Sequence, residues 1–179
     1  MLQRLPIKGY KMIHFDLNTM IYRPLTQVFT FVASPENDFQ WQYGTLSTVQ
    51  ISHGEIGMGT LFRAVGHMLG RRIEASYEIT VFEQNRSYGF KSVSGPVDSH
   101  TLYTFEMLNG GTRIAFSMQT DPKNAFQPGE AIVVRKFRKQ YKENLAMLKS
   151  VLEAHQTVRA GVGSTPLPGQ HIGTDRSTE

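Results

Sequence analysis

The sequence predicts an α+β domain in which a curved antiparallel sheet of about seven strands wraps one long C-terminal helix. Three observations predict it. Runs of alternating apolar and polar residues fill the middle of the chain. The breaks between those runs are too short for parallel crossovers, which need a dozen or more residues. A single helical stripe of apolar residues then closes the regular part of the chain.

The first strand is expected from Lys11 to Ile21, where Ile13, Phe15 and Leu17 alternate with His14, Asp16 and Asn18. Pro24 suits the first position of a helix, and Leu25, Val28, Phe29 and Val32 follow at helical spacing. Ser34-Pro35 repeats that start signal for a second short helix, which carries Phe39 and Trp41 and ends at Gly44. Six strands are expected over 45–53, 58–67, 71–82, 86–93, 99–108 and 112–120. Asn109-Gly110-Gly111 between the last two is the strongest hairpin signal. Pro122 and Pro128 bracket a loop, and Val134, Phe137, Tyr141, Leu145, Leu148 and Leu152 mark the helix that ends near His155. At ~1.5 Å per residue, that helix is a rod of about 42 Å. Its apolar side needs the sheet as a partner.

With 179 residues, the chain divides into an N-terminal extension over 1–11, one domain over 12–155 and a flexible tail over 156–179. The chain has no cysteine, which excludes disulfides, thiolate metal sites and a cysteine nucleophile. The charged start, with Arg4, Lys8 and Lys11, is not followed by an apolar stretch, so a secretory signal is not expected. No run approaches the roughly 18 apolar residues of a membrane span, and a cytoplasmic location follows as the expectation. The net charge of +4 is compatible with an anionic partner without arguing for one.

Candidates for chemistry are few. Asp98-Ser99-His100 has the residue types of a catalytic triad, but neighbours on a strand alternate faces, so these three cannot converge. The six histidines show no metal-ligand spacing, and His14 with Asp16 reads as an exposed polar pair. Residues 54–59 lack the Lys-Ser/Thr ending of a phosphate loop and precede a strand. No cofactor or metal is therefore expected. Arg135, Lys136, Arg138, Lys139 and Lys142 are five basic residues within eight, and Arg135, Arg138, Lys142 and Lys149 share a helix face. That face could dock RNA, acidic headgroups or an acidic protein, yet no aromatic residue interleaves with it as a base-stacking platform. Nucleic acid is accordingly not the expected partner.

Alternation also assigns faces to the strands. The inward sets are Ile73, Ala75, Tyr77, Ile79 and Val81; Tyr88 and Phe90; Thr101, Tyr103, Phe105 and Met107; and Ile114, Phe116 and Met118. Over 58–67, Phe62 and Ala64 compete with Leu61 and Val65 for the inner face.

The order of elements is that of the helix-grip fold, and residues along it resemble the START-like, or SRPBCC, superfamily of polyketide cyclases/dehydrases and lipid-transport proteins. Residues 28–32 with Pro35-Glu36-Asn37 and Trp41 are similar to its opening, and Gly57-Met58-Gly59-Thr60 to its glycine turn. Residues 110–114 are similar to its hairpin, and Leu148, Lys149, Leu152 and Glu153 to its closing helix. The resemblance covers about residues 12–155. It implies a Bet v 1-like or START-like cavity for a hydrophobic molecule or lipid. A strongly curved sheet gripping one helix also leaves a gap, and buried tyrosines need partners for their hydroxyls. The expected pocket residues are Trp41, Phe62, Tyr77, Ile79, Tyr88, Phe90, Tyr103, Phe105, Phe116, Met118, Phe137 and Tyr141.

Three functions are compatible with this reading. The first is binding or transport of a hydrophobic or aromatic small molecule, with no catalytic residue assigned. The second is a cyclase/dehydratase, in which Tyr103 with His100 or Arg63 would form a polar cluster. The resemblance implies a strand arginine pointing into the pocket of aromatase/cyclase members, and Ile79 stands at that position here. The third is a protein- or RNA-interaction module using the basic helix face. The sequence leaves the ligand and the oligomeric state open.

Overall fold

A computed structural model of the protein describes residues 13–68, 70–121 and 130–160. The expected N-terminal extension, the Pro122–Pro128 loop, the first residues of the last helix and the tail beyond 160 lie outside the described residues. Seven strands form one antiparallel sheet: β1 (Ile13–Ile21), β2 (Thr45–Gln50), β3 (Leu61–Met68), β4 (Arg71–Glu83), β5 (Ser87–Ser94), β6 (Asp98–Leu108) and β7 (Gly111–Asp121). Between β1 and β2 lie α1 (Leu25–Val32) and a 3-10 turn, η1 (Pro35–Gln40). The long helix α2 (Glu130–Ala160) closes the order and continues past the expected end at His155. The strands lie in the order β1-β7-β6-β5-β4-β3-β2, so consecutive strands pair everywhere except where β1 joins β7.

Local chemistry accounts for the turns. Asn109 and Gly110 both have positive φ, 50° and 76°, and link Leu108 to its partner Gly111. Two left-handed residues in a two-residue loop form the turn whose twist matches a hairpin. Ser34 starts η1 without capping it, because its hydroxyl donates back to the carbonyl of Thr30 at 2.7 Å.

The register shifts lie between Thr45 and Ser47, between Ser76 and Tyr77, and between Ile79 and Val81. All three therefore fall on the β2–β4 half of the sheet. An extra residue in one strand bends it and increases its twist, so this half curls most. The last shift overturns one expected assignment. Val81 does not face the helix; after the bulge the phase reverses and Phe82 turns inward, edge-on to Phe29 at 5.7 Å and to Tyr88 at 6.3 Å. Met107 is a second correction, at 70% exposed, because it sits at the hairpin end beyond the reach of α1 and α2. On β3 the competition goes to Phe62 and Ala64.

The core is an aromatic and aliphatic layer between the sheet and the helices. Phe137, Leu145, Leu148 and Leu152 of α2 are buried and Tyr141 is half-buried, as the stripe requires. The side chain of Val134 lies outside the described residues. The C-terminal part of α2 is tied to the end of β1. Arg23 donates through Nε to the carbonyl of Leu152 and through Nη2 to that of Glu153, both at 2.7 Å. Lys149 donates to the Met20 carbonyl at 2.6 Å and to Glu153 at 2.8 Å, and lies 4.7 Å above the Tyr22 ring. Lys149 is thus engaged in this joint and does not extend the exposed basic face, contrary to expectation.

Gly66 of β3 packs closely against the backbone of Gly44, just before β2. Gly44 has φ +83°, its carbonyl accepts from the N–H of His67 at 2.7 Å, and a Cβ on Gly66 would meet it at 2.4 Å. Overpacking of this kind costs about 1–3 kcal/mol, so Gly66→Ala is expected to lower the urea midpoint by a corresponding amount. Gly57→Ala, whose added methyl meets nothing within 4 Å, is expected to leave it in place. Equal midpoints for the two variants would contradict this account.

Candidate functional site

The inner face of β3 and β4 descends in rungs that the register defines: Met68 with Arg71, Gly66 with Ile73, Ala64 with Ala75, and Phe62 with Tyr77. On the two middle rungs three of the four residues, Gly66, Ala64 and Ala75, are small. The next is filled by Phe62 and Tyr77, whose rings stack 5.6 Å apart at 16°. Above the small rungs, between β3–β4 and the N-terminal part of α2, lies a cavity of about 810 Å³. Its floor is Ala64, Gly66, Ile73 and Ala75, and its roof is Phe137, Gln140, Tyr141 and Asn144. Gln42, Tyr43 and Thr45 close one side. Sites of roughly 300–1,000 Å³ enclose drug-sized ligands, and this one lies within that range.

The twelve expected pocket residues divide into two groups. Phe137 and Tyr141 line the cavity. The other ten lie outside its described lining and pack together with little space between them. Tyr103 meets Phe116 at 5.0 Å, Tyr88 at 6.3 Å and Trp41 at 6.3 Å, while Tyr77 meets Phe90 at 4.7 Å. Ile79, Phe105 and Met118 fill the same buried layer. The open space therefore lies beside this aromatic cluster, over the small rungs.

One group in the cluster had no counterpart in the sequence reading. Asp38, on η1, is half-buried, and burial pushes its carboxyl up to about 8, against a hydrogen bond from Gln42 that acts in the other direction. Asp38 acts electrostatically on Tyr77, Tyr88, Tyr103 and Tyr141. Burial raises all four phenols; Tyr141 is pushed up to about 12, with Asp38 as the second cause. Tyr77 and Tyr88 share a hydrogen bond between their hydroxyls. Gln42 and Tyr141 both line the cavity, so they connect this polar cluster to the open space.

Asn144 is the second such group. It is 4% exposed, and its Oδ1 accepts from the N–H of Tyr43 and from Nε2 of Gln140, both at 3.0 Å. That orientation leaves its Nδ2 as a donor without a partner among the described residues, on a residue that lines the cavity. Trp41, 2% exposed, likewise has an unpartnered Nε1.

The remaining candidates point outward. His100 is exposed, and Arg63 is 52% exposed beside Glu74, so neither joins Tyr103 in a polar cluster. The expected cluster fails because residues 63 and 100 occupy outward positions on their strands. Asp98 and His100 lie on the exposed face and Ser99 on the other. His14 and Asp16 form an exposed pair at 3.3 Å. Ile79 is fully buried and faces inward.

A curved antiparallel sheet around a C-terminal helix, with a cavity between them, places the chain among the helix-grip proteins. More specifically, it belongs to the family described as polyketide cyclase / dehydrase and lipid transport, whose model matches residues 12–153. No curated protein matches. Among solved structures the chain is similar to a START superfamily protein from Mycobacterium smegmatis, with a TM-score of 0.70 at 10% identity over 79% of this chain and 97% of that one. It is also similar to Ara h 8.0201, with a TM-score of 0.64 at 13% identity over 80% and 99% of the two chains. A third is TTHA0849 from Thermus thermophilus, with a TM-score of 0.63 at 17% identity over 83% and 99%. At these identities the likeness establishes the fold. Among the described residues no helix is long and apolar enough to cross a membrane.

Proposed function

We propose that this protein binds an apolar or aromatic small molecule in the cavity between α2 and β3–β4, as a carrier or receptor. The observation that carries this reading is the cavity of about 810 Å³ over the small residues Ala64, Gly66 and Ala75, beside an otherwise closely packed core. The family and fold, which are of the hydrophobic ligand-binding or cyclase/dehydrase type, support it. Native mass spectrometry of freshly purified protein, followed by denaturing extraction, tests it through a co-purifying molecule. Ala64→Phe places a ring in the floor of the cavity and is expected to abolish that co-purification while the protein still unfolds cooperatively. Undiminished co-purification with Ala64→Phe would place the molecule elsewhere.

Asp38 favours a second reading, acid–base chemistry of the cyclase/dehydratase kind. A carboxyl held protonated at neutral pH can donate a proton, whereas phenols pushed upward serve poorly as either acid or base. Against this reading stand Ile79, where cyclases carry an inward arginine, and the position of Asp38 behind Gln42. If dehydration occurs, the bound molecule loses the mass of water with the wild-type protein and keeps it with Asp38→Asn. An unchanged mass in both leaves binding alone.

A further inference from the structure

The mouth of the cavity is net positive, with more cationic than anionic side chains. Besides Tyr43 and Tyr141, its ionisable lining residues are His67, Lys136, Lys139 and Glu143. Lys139 lies 3.8 Å from Glu143, with both side chains mostly exposed. Lys136 has no anionic partner among the described residues. Arg135, Arg138 and Lys142 are exposed on the same stretch of α2, and Arg71 and Arg72 are exposed on the β3–β4 hairpin, whose residues form the opposite lip. Clefts lined by one sign of charge concentrate ligands of the opposite sign. Further in, the Nδ2 of Asn144 offers a donor on a residue that lines the cavity, and beyond it the floor is the apolar surface of Ala64, Ile73 and Ala75.

From mouth to floor the site thus presents cations, an amide donor and then hydrocarbon. We infer that the ligand is an amphipathic anion, with a carboxylate or phosphate monoester at Lys136 and Lys139 and an apolar body over the small rungs. This inference rests on the binding reading above and names the chemical class that reading leaves open. A neutral apolar molecule would fill the floor equally well but would offer no acceptor to Lys136, which has no anionic partner among the described residues, or to the Nδ2 of Asn144. The basic run on α2, which the sequence alone offers as a dock for an anionic partner, then acts as the electrostatic part of a small-molecule site.

The test compares three probes that share one chain: dodecanoate, dodecyl phosphate and dodecanol, each below its critical micelle concentration. Binding is measured by calorimetry to the wild-type protein and to Lys136→Gln/Lys139→Gln, whose altered side chains are exposed. The expected result is tighter binding of one or both anions than of the alcohol. The double variant should weaken anion binding roughly five- to tenfold, as suits partly exposed ion pairs, and leave dodecanol unchanged. The stronger of the two anions identifies carboxylate or phosphate as the headgroup. Equal affinities for anions and alcohol, or equal losses in the double variant, would overturn the inference while leaving apolar binding intact. Loss of binding to anionic phospholipid vesicles, with dodecanoate and dodecyl phosphate affinities unchanged, would also overturn it by assigning the lysines to a membrane surface. Failure of all three probes to bind the wild-type protein would remove the binding reading together with this one.

Discussion

Asp38→Asn is expected to stabilise the protein at neutral and alkaline pH and to leave its stability unchanged below pH about 4. In the folded chain burial holds the carboxyl protonated up to about 8, while an unfolded aspartate ionises near 3.9. Between those values the unfolded state has released a proton that the folded state keeps. Stability therefore falls as pH rises, by about 1.4 kcal/mol per pH unit at most. The fall levels off above the folded value, where both states are ionised. Asparagine has nearly the same shape and does not titrate, so the variant lacks this slope. The difference between the two proteins should open above pH about 4 and reach on the order of 3–5 kcal/mol by pH 9. Urea midpoints at pH 4, 6 and 9 measure it, and the contributions of other titrating groups cancel in the comparison. Parallel pH profiles for the two proteins would show that Asp38 ionises normally and is not withdrawn from water.

Much of the architecture was legible because periodicity reports directly on which side of an element is buried. The alternation of Ile114, Phe116 and Met118, and the stripe from Phe137 to Leu152, correspond to the sheet and helix observed. The site was less legible. Large inward residues read as pocket lining, yet a cavity exists where the inward residues are small, and Ala64 opposite Ala75 was the signal for it. Bulk closes space; only its absence opens it. Asn144 also left a trace, since a polar residue three positions after Tyr141 interrupts an apolar helix face. Asp38 left none. It lies in a short polar turn among Glu36, Asn37 and Gln40, and only the packing of η1 onto the rest of the domain withdraws it from water. Val81 was misassigned for a related reason, because a bulge reverses alternation without changing composition.

The cavity depends on how α2 is held. Among the described elements, β1 is the strand against which the helix packs most closely, and its C-terminal part is bound there by Arg23 and Lys149. Its N-terminal part, carrying Phe137 and Tyr141, stands over the small rungs of β3 and β4. A rod fixed firmly at one end against one edge of a bent sheet must diverge from the other edge, and the cavity occupies the space between.

Arg23→Met should accordingly be the most damaging single change outside the aromatic cluster. Arg23 is 8% exposed and lies within the joint between β1 and α2, where Nε and Nη2 reach the carbonyls of Leu152 and Glu153. Its own carbonyl accepts from the Thr112 hydroxyl at 2.8 Å, which ties the same residue to β7. Methionine keeps the stem and that carbonyl but removes two charge-assisted hydrogen bonds, each worth about 1.5–3 kcal/mol. A loss of roughly 3–5 kcal/mol follows, a large part of the stability of an ordinary domain. Arg23→Lys retains one charged donor without the fork and should recover only part of the loss. Hydrogen exchange locates the effect: amides of the last turns of α2 should lose protection first, ahead of those in β6 and β7. If Arg23→Met unfolds at the wild-type urea midpoint, or the lysine variant restores it fully, the guanidinium fork is not what fastens the helix to the sheet.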